Sequence, residues 1–162
     1  MTSTILFLLC VVIGGVSGLR SFTGIALVII AAQRGWPHLG WLHLSATGLN
    51  FLTTPVALIV VVVLAVGELI ADKLPAMRPR IQAGPLSARF LLGAFCASAL
   101  AVAAGMSWVV PAIIGGISAI IAAYAGYWLR HGITTRGVQD LPIALLEDAT
   151  AILLGFFTVS RF

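Results

Sequence analysis

Charge is what this sequence has least of. Of its 162 residues nine are basic and five acidic, 9% in all, against 60% hydrophobic. An ordinary soluble domain carries roughly a quarter of its residues charged. Too few polar side chains are present to cover a water-facing surface, so most of the exterior is expected to face lipid. No Ser/Pro-rich stretch and no run of charge divides the chain, and one membrane domain over residues 1–162 is expected. The two cysteines, Cys10 and Cys96, sit in apolar runs without a paired spacing, which fits buried free thiols better than a disulfide or a metal pair. No basic stripe interleaved with aromatics accompanies the net charge of +4, which argues against nucleic acid as a partner. His-Glu-x-x-His, Gly-x-Ser-x-Gly and a phosphate-cradling Gly–Lys loop are all missing, which argues against an enzyme; no cofactor and no metal is expected. Met1-Thr2-Ser3-Thr4 offers no basic segment ahead of Ile5–Ile13, so the opening run is read as a retained helix and not as a cleaved signal.

Long apolar runs are what the sequence has in quantity. They fall at about Thr4–Gln33, Pro55–Lys73, Gly84–Gly105, Trp108–Arg130 and Pro142–Ser160. The expected fold is all-α: a polytopic membrane helix bundle of about five transmembrane helices. The first run would be roughly 45 Å long as one helix, against a hydrocarbon core of about 30 Å. It must tilt, protrude or break. Gly14, Gly15 and Gly18, followed by Arg20, offer a place to break; equally, Gly14 and Gly18 form a GxxxG packing face on a straight helix. Gly93, Ala97, Ala101 and Gly105 recur every four residues in the third run and read as a packing stripe. Between the first two runs, Trp36, His38, Trp41 and His43 belong at an interface, and Leu39–Leu52 suits a short interfacial helix.

With five crossings, Lys73, Arg78, Arg80, Arg130 and Arg136 share a side with the N-terminus, and Arg34 and Arg161 take the other. The positive-inside rule then puts the N-terminus in the cytoplasm and the C-terminus outside a plasma (inner) membrane. Val12-Ile13-Gly14-Gly15-Val16-Ser17 is echoed by Ile113-Ile114-Gly115-Gly116-Ile117-Ser118. Such segments, running oppositely around a central small-residue helix, suit an inverted repeat with broken helices; chance matching in a glycine-rich membrane chain is the alternative.

The few charges lie where they are costly. Glu68 and Asp72, four apart, share a helix face at the end of the second run, followed by Lys73. Glu147 and Asp148 open the fifth, Arg89 lies two turns into the third, and Arg130 closes the fourth. Counted from the helix ends, the acids lie within roughly 10 Å of the cytoplasmic surface, and Arg20 alone falls near mid-membrane. Intramembrane charges of this kind mark ion or solute pathways, or pair to hold helices together.

Gly18-Leu19-Arg20, Glu68-x-x-x-Asp72-Lys73-x-Pro75, Arg89-x-x-x-Gly93-Ala94 and Leu145-Leu146-Glu147-Asp148 together resemble a widespread family of small bacterial membrane proteins catalogued as a domain of unknown function, number forty-one twenty-six. The resemblance spans nearly the whole chain and implies the helix layout and attention to the charged residues, but no established activity. Two functions follow from the residues. One is a small transporter or channel for an ion or small solute, with Arg20, Glu68, Asp72, Lys73, Arg89, Glu147 and Asp148 as its cytoplasm-facing site. The other is a structural or anionic-lipid-binding module whose charge pairs staple helices. The lipid bilayer is the expected partner, and the small-residue stripes permit a homo-oligomer.

Overall fold

The computed structural model describes residues 2–33, 42–44, 47–72, 81–137 and 139–162. Among them are six α-helices and no strand: α1 (Ser3–Leu19), α2 (Ser21–Ala32), α3 (Pro55–Ala71), α4 (Ala83–Ala103), α5 (Val109–Thr134) and α6 (Asp140–Val159). The chain is an all-helical bundle. α4, α5 and α6 are each long and apolar enough to cross a membrane; α1, α2 and α3 are shorter apolar helices. Large side chains such as Val56, Val63, Leu129, Leu146 and Leu153 stand more than half exposed on the outside of the bundle. By length, composition and surface these are helices compatible with a membrane protein.

Local chemistry explains several ends. Pro55 occupies the first turn of α3, where its missing N–H costs nothing, and the Thr54 hydroxyl accepts from the Ala57 N–H at 3.3 Å. α4 ends where Gly105 adopts a positive φ of 69°, and its neighbour Met106 donates back to the Ala101 carbonyl at 2.9 Å. The second to fifth expected runs correspond to α3–α6, with α5 continuing past Arg130 to Thr134.

The first run is not one helix. α1 ends at Leu19 and α2 begins at Ser21, joined by Arg20 alone in an extended conformation (φ −139°, ψ 110°). The two legs double back and lead from Arg20 towards the same end of the bundle. A side chain on Gly24 would run into Ser17, and one on Gly155 of α6 would meet both Leu27 and, at 3.4 Å, Val16. In a straight helix residues 16 and 27 would stand about 16 Å apart along the axis. The α2 N-terminus lies beside Glu68 near the end of α3, and the Gln33 amide just past its other end donates to the Leu52 carbonyl at 3.3 Å, just before α3 begins. α2 and α3 therefore run antiparallel. The reversal corrects the single 4–33 crossing: residue 2 and residue 162 lie at one end of the bundle, and Arg20 and the turn after α5 lie towards the other.

Of the two readings of the glycines the packing face is the one the structure has, and the break falls at Arg20, at the end of the stretch that offered it. α1 and α5 cross with their backbones in contact: a methyl on Gly14 would lie 2.8 Å from the Gly115 Cα, and one on Gly18 would collide with Ala119 O and lie 2.8 Å from the Ala122 Cβ. α4 closes on the same seam, where a methyl on Gly93 would sit 2.7 Å from the Ala119 Cβ. Gly116 faces the Phe90 ring, and Gly15 has ordinary room. The paired contacts Gly14–Gly115 and Gly18–Ala119 advance together, so α1 and α5 run parallel. The echoed segments thus lie side by side in the same direction, α5 stays unbroken through Gly115-Gly116, and the antiparallel relation expected between them is absent. The interfacial helix over Leu39–Leu52 is replaced, among its described residues, by irregular chain and a 3-10 turn starting at Asn50. Leu42, Leu44 and Leu52 are buried in the protein core there, so they are not laid on a membrane surface. Trp36, His38, Trp41 and Lys73 fall outside the described residues.

Close backbone contact makes these glycines sensitive. Gly14→Ala and Gly18→Ala are each expected to lower stability by about 1–3 kcal/mol through overpacking. Gly67→Ala, at a mid-helix position of α3 with nothing within 4 Å, is expected to be neutral or to stabilise by up to about 1 kcal/mol. Thermal unfolding in detergent of the three variants checks the contrast.

Candidate functional site

A helix interrupted inside an apolar bundle exposes backbone groups that need partners. Here two side chains supply them. The Glu68 carboxylate accepts from the Ser21 and Phe22 N–H groups, both at 2.8 Å, capping the start of α2. Arg89 Nη1 donates to the Gly18 and Leu19 carbonyls at 2.6 and 2.9 Å, capping the end of α1. Anion at the N-terminus and cation at the C-terminus also match the two helix dipoles. The caps approach each other, with Arg89 Nη2 3.8 Å from Glu68 Oε1. α3 and α4 thus each contribute one charge, and those charges hold the break open.

Arg20, at the joint, is fully buried. Its Nε donates to Asp148 Oδ1 at 2.6 Å, its Nη1 to Asp72, and its Nη2 stands 3.7 Å from Glu147 Oε2. A guanidinium presents such a fork in one plane, which a lysine does not. The layer extends outward through Arg130, whose Nη1 donates to Asp72 Oδ2 at 3.0 Å and whose Nε donates to Asp140 Oδ1 at 2.6 Å. Arg130 Nη2 completes a bidentate pair with Asp140. All five acids of the chain therefore gather around three arginines.

Between α5 and α6 a cavity of about 240 Å³ reaches this layer. Its walls are mostly apolar (Leu19, Leu129, Ile133, Ile143, Leu146), with Arg130, Glu147 and Thr150 as the polar groups. Among the described residues no group of three His, Cys, Asp or Glu side chains is placed to hold a metal ion.

Of the residues singled out from the sequence, Arg20, Glu68, Asp72, Arg89, Glu147 and Asp148 come together. Arg20 joins them at their own level and does not lie near mid-bundle, because the chain turns back there. Arg130, expected only as part of the same layer, is a direct partner of Asp72. Asp140 was not foreseen as a member; its signal was an acid one short turn beyond Arg130, in a chain with few acids to place.

Residues 7–160 match the family model described as Domain of unknown function (DUF4126). The chain belongs to this family. The Glu-x-x-x-Asp and Glu-Asp pieces that carried the resemblance are, in the fold, the acids that face Arg20 and cap α2. A search of curated proteins finds no match, and a search of solved structures finds none either.

The site makes a stability prediction. Arg20→Ala removes the buried cation that Asp72, Glu147 and Asp148 share and is expected to cost about 3–5 kcal/mol. Arg20→Lys should recover only part of this, since one ammonium cannot reproduce the fork. Equal unfolding midpoints for Arg20→Lys and the parent chain would contradict the geometry.

Proposed function

We propose that this protein is a small membrane transporter or channel for an ion or small solute, with the carboxylate–arginine layer as its selective element. The observation that carries the reading is the placement of the layer. It sits at the break of a doubled-back helix, inside an apolar bundle, next to a cavity whose polar wall is Glu147, Arg130 and Thr150. Ionisable groups are costly in such surroundings, and broken helices beside cavities are a recurrent means of holding solutes. In sequence, Lys73, Arg78 and Arg80 fall between α3 and α4, and Arg136 falls between α5 and α6, the segments that join the charged ends of those helices. The positive-inside rule applied to this layout puts that end in the cytoplasm and both termini outside. No catalytic step is assigned.

The second reading is a structural module, and one observation favours it: the acids are engaged by arginines or backbone amides that join separate helices. The lipid-binding form of that reading loses Arg89, which is buried and spends Nη1 on the Gly18 and Leu19 carbonyls.

Purified protein in liposomes, tested against a panel of monovalent ions, protons and small organic anions, should carry flux in at least one case. Glu147→Gln, which keeps the side-chain volume and leaves the α2 cap intact, is expected to reduce that flux roughly tenfold or more, the scale of one lost charge interaction. A parent chain silent across the whole panel would leave the structural reading in its place.

A further inference from the structure

The cavity between α5 and α6 opens on the outside of the bundle, because these two helices barely touch. Leu129 and Leu146, which line it, are 65% and 68% exposed. In a bilayer such an opening meets lipid tails, which are as apolar as leucine, so an apolar body enters from the side. Ile133 and Ile143 continue the apolar wall inward. At about 240 Å³ the cavity falls below the roughly 300–1,000 Å³ of sites for drug-sized molecules, so its occupant is small.

The polar groups of the wall decide the chemistry of the occupant's head. Each guanidinium nitrogen of Arg130 already donates to a carboxylate, Nε and Nη2 to Asp140 and Nη1 to Asp72. The Thr150 hydroxyl donates to the Leu146 carbonyl at 2.7 Å, so its proton is engaged and its lone pairs accept. Glu147 is reached from the core side by Arg20 Nη2 at 3.7 Å, an ion pair too long for a hydrogen bond. A carboxylate has about four acceptor positions, so an N–H donor on the cavity side adds to the partners Glu147 has. The wall is thus rich in acceptors. Its charge has the matching sign: among the described residues the layer gathers five carboxylates around three guanidiniums.

We propose that the α5–α6 cavity binds a small primary ammonium with an apolar body. Its N–H groups donate to Glu147 and Thr150, and its body lies along Leu129 and Leu146. This names the substrate class of the pathway proposed above and rests on that reading for transport, such an ammonium being one of the monovalent ions of the flux panel. A carboxylate or phosphate would bring acceptors to acceptors and a negative charge to a layer with carboxylates in excess. A lipid chain would match the walls but bring no donor to Glu147 and Thr150.

Binding is measured without any flux. Benzylammonium, titrated at neutral pH into the purified protein in detergent and followed by calorimetry against empty micelles, should bind saturably. Benzyl alcohol and benzoate, of similar shape, should bind at least roughly tenfold more weakly, the scale of a charge-assisted hydrogen bond. Glu147→Gln should weaken benzylammonium by a similar factor. Thr150→Leu, at an exposed position of α6 where folding is spared, fills the cavity and should abolish binding. The proposal is overturned by absence of saturable binding, by benzyl alcohol binding equally well, by benzoate binding more tightly, or by affinity unchanged in both variants. Benzylammonium binding in a protein that carries no ion supports the amine site and removes the transport reading. Flux of another ion without benzylammonium binding does the reverse.

Discussion

A guanidinium buried among apolar helices is costly unless acids are brought to it, and much of this architecture answers that demand. Arg20 has no solvent, so α3 supplies Asp72 and α6 supplies Asp148 and Glu147. The backbone around Arg20 makes the same demand in miniature. Opening a helix at one residue frees carbonyls on one side and amides on the other, and Arg89 and Glu68 meet them. These partners come from three separate helices, so the break is held by α3, α4 and α6 together. The charges therefore specify which helix ends meet, a role better attested for buried ion pairs than a net gain in stability.

Apolar packing supplies what the charges cannot. The glycines bring α1, α4 and α5 into backbone contact, and this fixes the level at which Arg89 meets the end of α1. α3, with only Ala65 buried, contributes little to the core and is positioned mainly by α2 and by its two acids. The result is a core shared by α1, α2 and α4, with α3 laid on its outside. α5 and α6 barely touch, which leaves the cavity that reaches Glu147 and Arg130.

Much of this was legible in the sequence. The apolar runs, with Pro55 and Thr54 marking one start, located α3 to α6 within a few residues, and scarcity of charge picked out the residues that converge. What could not be read was the reversal at Arg20. No proline or glycine occupies that position, and the conformation is set by Glu68, Asp72, Arg89 and Asp148, which lie 46 to 128 residues away from the atoms they hold. The glycines nearby looked like the weak point because glycine both breaks helices and lets them approach. Only the position of Gly115 and Ala119 on the neighbouring helix decides between those effects. Once the run is taken as one straight helix, it puts the two ends of the chain at opposite ends of the bundle and makes the echoed glycine segments antiparallel, where the structure has neither. The capping role of Arg89 left no local trace, since an arginine two turns into a helix fits surface, lipid and core alike.

The reversal at Arg20 is the claim on which the rest depends, and the sidedness of the chain tests it most directly. Single cysteines placed at Thr2, at Ser160 and at Thr135, in a background with Cys10 and Cys96 replaced by alanine, can be labelled from one side of sealed vesicles with a membrane-impermeant maleimide. The doubled-back helix predicts that the Thr2 and Ser160 positions label from the same side and the Thr135 position from the other. Labelling of Thr2 and Thr135 from one side with Ser160 on the opposite side would restore a single straight first helix and contradict the account.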